Sequence, residues 1–206
     1  MLALQLQRRF VMLAGVDEVG YGALVGDVVA AAVILPEKHG IIGIKDSKKL
    51  TANKRESLSA QICEKAIAWN IGVASHLEID QLNILHASHL AMQRAVAGLL
   101  VKPSKVLVDG NKCPEFVCPA EAIIEGDKLI EQISAASIVA KVFRDRSMEL
   151  LDKQFPGYGF AKHKGYGTAV HIAALNLLGP IKEHRRSYAP VALAASRIGR
   201  LALLKV

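Results

Sequence analysis

The chain has 206 residues, of which 51% are hydrophobic and 22% charged, with a formal net charge of +7. This fits one folded domain with a full core and excludes a disordered tail, and no apolar run approaches the length needed to cross a bilayer. The opening stretch MLALQLQRRFVMLAG lacks the ordered segments of a secretory leader, so a soluble, cytoplasmic protein is expected.

Residues 11–17 form a short apolar run that ends on an acid, followed by the glycines of VGYGALVG. Residues 27–35, DVVAAAVIL, are apolar and β-branched and predict a buried strand, close enough to the first to pair with it antiparallel. Residues 36–53 are a polar, lysine-rich loop. Thr51 is a candidate N-cap for a helix through about Trp69, with Leu58, Ile62 and Ala66 on one stripe; Trp69 is expected in the core. Residues 71–75 suggest a third strand. Residues 78–100 read as helical with a break near Leu85 and His86. KVLVD at 105–109 is a strand running into an acid and a glycine turn, and residues 120–125 are another strand, ending at Gly126-Asp127. One long helix is expected over 129–155, then a basic glycine-rich loop at 156–167, then helices near 168–178 and 191–204. Strands first and helices later predict an α/β fold, a mixed sheet with helices on its faces.

Between Lys141 and Arg186 there are nine Lys and Arg against four Asp and Glu, an excess of +5. A basic face of this kind attracts polyanions, of which phosphodiester backbones are the commonest. Cys113 and Cys118 have no second pair and no nearby histidine to complete a zinc site, and read as plain thiols in a reducing compartment.

Asp17, Glu18, Asp109 and Asp127 all fall where apolar strands end. Strand ends at one sheet edge converge, so these acids would meet in space. Gathered carboxylates repel one another, and a hard cation such as Mg2+ or Mn2+ relieves the repulsion. Two such ions can clamp the attacking and leaving oxygens of a phosphoryl displacement. Taken singly, Asp109 is equally a turn residue and Asp127 equally a helix cap. Asp17 and Glu18 carry more weight, because an ionisable pair after an apolar run is costly without a partner. Adjacent strand residues face opposite ways, so a bend or bulge is expected at this pair, permitted by Gly20 and Gly22.

The ordered motifs AGVDEVGYG at 14–22, VVAAAVIL at 28–35, DSKKL at 46–50, LNILHASHLAMQRAV at 82–96, VDGN at 108–111, EGD at 125–127, ISAASIVAKVFRD at 133–145, HKGYGT at 163–168 and HRRSY at 184–188 together resemble the ribonuclease HII family. The resemblance implies a ribonuclease H-like fold, a mixed five-stranded sheet flanked by helices with a helical C-terminal extension from about residue 168, in one domain over 1–206. It implies Asp17, Glu18, Asp109 and Asp127 as catalytic, metal-binding acids. It implies hydrolysis of the RNA strand of RNA–DNA hybrids and incision 5′ to single ribonucleotides in duplex DNA, leaving 3′-hydroxyl and 5′-phosphate ends. The family reads the RNA–DNA junction with a Gly-Arg-Gly loop at the 2′-hydroxyl and a tyrosine that falls on Tyr166. The 2′-hydroxyl is the one group that separates RNA from DNA, and glycines allow close backbone approach to it. Here the loop is Gly20-Tyr21-Gly22, with tyrosine in place of arginine, and Ala23 in place of the usual proline. Backbone readout survives that change, but the arginine's cationic phosphate contact does not. Weaker junction binding is the expectation.

Lys48 and Lys49 either face a substrate phosphate or form a solvated pair; Asp46 orders their loop. His163 and Lys164 are expected at the substrate backbone. Ser134, Ser137 and Lys141 share one helical stripe that should pass the site, the serines for tight packing, and Asp145 can pair with Lys141 at i, i+4. His184, Arg185 and Arg186 either bind phosphate or tie down the C-terminal helices, the structural role being preferred, and His76, His86 and His89 have no expected role. The nucleic-acid substrate is the expected partner, and a monomer is expected.

Overall fold

The computed structural model describes residues 12–44 and 50–203, with side chains described through residue 197. Asp46, Lys48 and Lys49 lie outside the described residues. A five-stranded sheet runs in the order β3-β2-β1-β4-β5, with β1 at Leu13–Val19, β2 at Val28–Ile34, β3 at Ala68–Ala74, β4 at Lys105–Asp109 and β5 at Ala120–Ile123. β1 pairs antiparallel with β2, as does β2 with β3, while β4 lies parallel to both β1 and β5. Every residue of β2 is buried, because the sheet is covered on both faces. Val28, Ala30, Ala32 and Ile34 enter one core with Ala87, Ala91 and Met92 of α3 (Ile84–Ala97). Val29, Ala31 and Val33 enter the other, with Leu58 and Ile62 of α1 (Ala52–Lys65) and Ala135, Ile138 and Val139 of α5 (Glu131–Gln154). Two-sided burial explains why this strand reads as a continuous apolar run instead of an alternating one.

Helix starts follow local capping chemistry. The Thr51 side chain accepts from the Lys54 amide at the head of α1, and Ser75 with Glu78 makes a capping box on α2 (His76–Leu82). The break in the next helical stretch falls at Asn83, not at Leu85 and His86. Asn83 has φ 66° and its side chain caps α3 by accepting from the Leu85 and His86 amides. The long helix expected over 129–155 is divided as well: α4 (Gly126–Leu129) ends at extended Ile130 before α5 begins. Helix α1 stops short of Trp69, which belongs to β3, is 41% exposed, and donates its indole N–H to the Cys63 carbonyl. It is not a core residue. The basic loop contains one turn of helix, α6 (Phe160–His163), and α7 (Ala169–Leu178) and α8 (Ala189–Leu203) complete the C-terminal helical part. No helix among the described residues is long and apolar enough to cross a membrane.

The contact that sets the site is α5 against β1. Gly15 makes it possible, because a β-carbon there would stand 2.1 Å from the Gln132 carbonyl carbon. Gly15→Ala must push the helix off the strand. Such overpacking costs about 1–3 kcal/mol, which should appear as a lower urea midpoint; an unchanged midpoint would show that α5 moves without cost.

Candidate active site

Strand lengths create the site. β1 pairs with β4 only as far as Val16↔Val108, whereas its pairing with β2 continues through Asp17↔Ala31 and Glu18↔Ala30 to Val19↔Val29. Asp17, Glu18 and Asp109 therefore stand together past the paired end of two parallel strands. The continuous register removes the expected bulge: Asp17 stays on the α5 face and Glu18 on the α3 face. Both acids reach the same opening because the gap beyond β4 is open to both faces. A cavity of about 410 Å³ there is lined by Asp17, Glu18, Asp109, Tyr21, Ser137 and Tyr166. A smaller one of about 170 Å³ on the α3 side shares Glu18, Asp109 and Tyr21, and adds His89, Asn111 and Lys112. His89, expected to have no role, is thus beside the acids.

Burial, then the charges of Glu18 and Asp109, hold the Asp17 carboxyl well above the usual carboxylate range. Hydrogen bonds from the Ser137 hydroxyl and the Glu18 amide, at 2.8 Å, act in the opposite direction. Ser137 therefore does more than allow tight packing. Asp127 is buried and stands one step behind: its amide donates to Asp109 Oδ1 at 3.2 Å, and its carbonyl accepts from the buried Ser134 hydroxyl. Asp127 is not among the residues lining the cavity. Among the described residues no three such side chains are already closed into a coordination sphere; the acids share a cavity wall. An all-oxygen donor set in which burial and neighbouring carboxylates disfavour the charge of Asp17 nevertheless fits a hard divalent cation.

The rim is cationic. Lys141 donates to Asp145 at 2.8 Å, the i, i+4 pair expected from spacing, and Arg55 lies 3.8 Å from the same carboxylate while donating to the Leu50 carbonyl. Both cations line the cavity. Nothing in the sequence near Arg55 signalled that placement.

Two buried arginines hold the glycine loop. Arg185 donates to the carbonyls of Gly20 at 2.7 Å, Tyr21 at 3.0 Å and Gly26 at 2.9 Å, and the Tyr188 hydroxyl adds a second bond to the Tyr21 carbonyl. Arg144 donates to the carbonyls of Val25, Asp27 and Lys164, with its guanidinium 5.6 Å from the Tyr166 ring centroid. Neither forms an ion pair among the described residues; their charges rest on main-chain carbonyls. Burial lowers the Arg144 pKa to about 10, still charged at neutral pH. Gly20 has φ +93°, and a β-carbon there would lie 2.2 Å from Arg144 Nε, so the clamp requires glycine. Arg144 was missed in the sequence. The signal was its helical spacing from Ala140, Met148 and Leu151, an apolar stripe where a cation is out of keeping with its neighbours.

Tyr21, 42% exposed, and Tyr166 both face the cavity, and Ala23 forms a β-bridge with Tyr166. His163 and Lys164 do not line it. Both His163 ring nitrogens are engaged within the loop, with the Tyr158 carbonyl and the Gly165 amide, and Lys164 is paired to Glu149 at 2.6 Å. The structure thus engages the two side chains expected at the substrate backbone within the basic loop and with α5, outside the cavity lining.

A family model described as ribonuclease HII matches residues 14–191. The chain is 60% identical over 178 residues to the ribonuclease HII of Shewanella piezotolerans, covering 86% of this chain and 88% of that protein. It is 59% identical over 181 residues to the ribonuclease HII of Acinetobacter baylyi, covering 87% and 96% respectively. Among solved structures it is similar to the ribonuclease H2 from Pyrococcus horikoshii OT3, with a TM-score of 0.77 at 27% identity over 91% of this chain and 99% of that one.

A carboxyl whose folded pKa is raised contributes stability at low pH that is lost as pH rises through that pKa. In EDTA at neutral pH, Asp17→Asn should therefore raise Tm, and the gain should vanish in acid. Divalent cation should raise the Tm of the natural protein more than that of the variant. An Asp17→Asn protein less stable at every pH would show that the carboxylate is not under repulsion.

Proposed function

The chain belongs to the ribonuclease HII family, and from that premise we propose that it incises duplex DNA on the 5′ side of single embedded ribonucleotides as well as cutting RNA–DNA hybrids. The family makes it a metal-dependent nuclease with endonucleolytic activity on the RNA strand of hybrids. The finer activity rests on one observation: Asp17, Glu18 and Asp109, with Gly20 and Tyr21 of the glycine loop and Tyr166, border the same cavity.

We assign Asp17, Glu18, Asp109 and Asp127 as the ligands of two divalent cations, Mg2+ or Mn2+. Cations so held supply Lewis acidity and a water of lowered pKa for phosphodiester hydrolysis, giving 3′-hydroxyl and 5′-phosphate ends. Ser137 orients the Asp17 carboxylate, and the link from the Asp127 amide orients Asp109. Arg55 and Lys141 supply positive charge at the rim for the substrate backbone.

The loop's chemistry follows from its clamp. Arg185 draws the Gly20 and Tyr21 carbonyls inward. No peptide bond among the described residues is cis, so the Tyr21 and Gly22 amides point away from Arg185. They are donors suited to a 2′-hydroxyl. A β-carbon on Gly22 would meet nothing within 4 Å, so its glycine serves the approach of a substrate and not internal packing. Tyr166 lines the same cavity and is bridged to Ala23, which supports a role for its ring at the deoxyribose that follows the ribonucleotide. Ala23 donates its amide to the Gly20 carbonyl at 3.3 Å, a bond that the proline usual in the family could not make.

The deciding assay compares three labelled duplexes, with one ribonucleotide, all DNA, or a continuous hybrid, each with Mg2+, Mn2+ or EDTA. Metal-dependent cutting 5′ to the lone ribonucleotide, with the all-DNA duplex intact, is expected; cutting of the hybrid alone would overturn the finer activity. Tyr21→Arg should restore a cationic phosphate contact and lower KM for the single-ribonucleotide duplex about tenfold. An unchanged KM would show that the loop's charge does not govern binding.

A further inference from the structure

We propose that His171 and His184 are positioning residues for Tyr166, a two-imidazole relay of fixed proton direction that sets how this protein discriminates single ribonucleotides. The proposal rests on Tyr166 reading the junction.

Both rings are fully buried, against Phe160, and neither is near the acids. The Ile181 amide donates to His184 Nδ1 at 3.0 Å, so that nitrogen carries no proton. His171 Nδ1 lies 3.0 Å from the Tyr166 carbonyl, which only accepts, so that nitrogen is protonated. The facing Nε2 atoms are 3.2 Å apart. One proton fits between them, and it belongs to His184, since a neutral His184 with bare Nδ1 must carry it on Nε2. The chain of donors then runs one way: Ile181 N–H to His184, His184 to His171, His171 to the Tyr166 carbonyl. Either ring protonated would set two N–H groups against each other or against the Ile181 amide. Burial lowers both pKa values, that of His184 to about 3, which keeps the relay neutral through the working range. His163 stacks on His171, centroids 4.5 Å apart, and holds the other side of the same turn through the Gly165 amide.

The relay joins two parts of the reader. Main-chain atoms of Glu183 and Arg185 bond Gly26 and Leu24, and the Arg185 guanidinium holds Gly20 and Tyr21. His184, between them, reaches Tyr166 through His171. One tripeptide thus fixes the distance between the 2′-hydroxyl donors and the tyrosine, and a displacement of about 1 Å in such a constellation is enough to change rates.

Two measurements test this. In histidine-15N-labelled protein at pH 7, NMR should show His171 as the Nδ1–H tautomer and His184 as the Nε2–H tautomer. His171 protonated on Nε2 overturns the relay, and this experiment needs no substitution. In kinetics, His171→Met fills the space without a donor, whereas His171→Asn keeps an N–H near the Nδ1 position. The Met variant should lower the ratio of kcat/KM on the single-ribonucleotide duplex to that on the continuous hybrid about fivefold, and the Asn variant should restore most of it. Equal ratios in all three proteins would reduce the pair to packing and overturn the proposal. If the natural protein cuts hybrids but not lone ribonucleotides, the reading of Tyr166 fails, and the tautomers alone then judge the relay.

Discussion

A carboxylate buried beside two others is the constraint around which this fold is arranged. Asp17 is desolvated by α5 and faces the charges of Glu18 and Asp109. The free energy of that arrangement is unfavourable until a cation arrives, and it has to be offset elsewhere. The offset lies in the fully covered sheet behind it. β2 is buried along its whole length, and α3 and α5 seal its two faces. Repulsion at the strand ends is tolerated because the strands themselves cannot separate.

The other notable charges are treated differently. Arg144 and Arg185 are buried without carboxylate partners among the described residues, and each spends most of its donors on main-chain carbonyls of the loop between β1 and β2, Arg144 also reaching the Lys164 carbonyl and Arg185 the Tyr188 hydroxyl. An irregular glycine-containing segment has few ways to satisfy its own backbone. The planar guanidinium, with five donors, serves several carbonyls at once and imposes one geometry on them. Rigidity here comes from side chains reaching in from α5 and from the segment after α7, not from a ladder of strand bonds.

Much of the fold was legible because periodicity and capping are local. The strands at 105–109 and near 28–34, the Thr51 cap and the Lys141–Asp145 pair all follow from neighbours in sequence. Errors came where tertiary geometry decides. A bulge looked necessary at Asp17-Glu18 because alternation puts the two on opposite faces. It is absent, because the early end of β4's pairing leaves a gap that both faces can reach. That difference between two neighbours' pairing lengths has no local signature. Trp69 was assigned to the core on its hydrophobicity, but its indole N–H finds a partner at the surface. His163 and Lys164 carry a plausible charge for phosphate, yet the ring is bonded within its own turn and the ammonium is paired to Glu149 on α5. Of the site, the three acids of the cavity wall could be read from strand ends. The arginines that shape its loop could not, since their partners are carbonyls, which every residue has.

The clamp on the glycine loop also has a temporal side. Arg185 and Tyr188 bind the Tyr21 carbonyl across sequence separations of 164 and 167 residues. Contacts of that span close a loop of most of the chain and belong to the slow part of folding. On a ribosome, which delivers the N-terminus first, β1, β2 and their acids emerge long before the segment that organises the loop joining them. The acidic strand ends can thus assemble well before the clamp on the glycine loop. A chain released a few dozen residues early would retain its acids and lack the side chains that fix the conformation of the loop beside them.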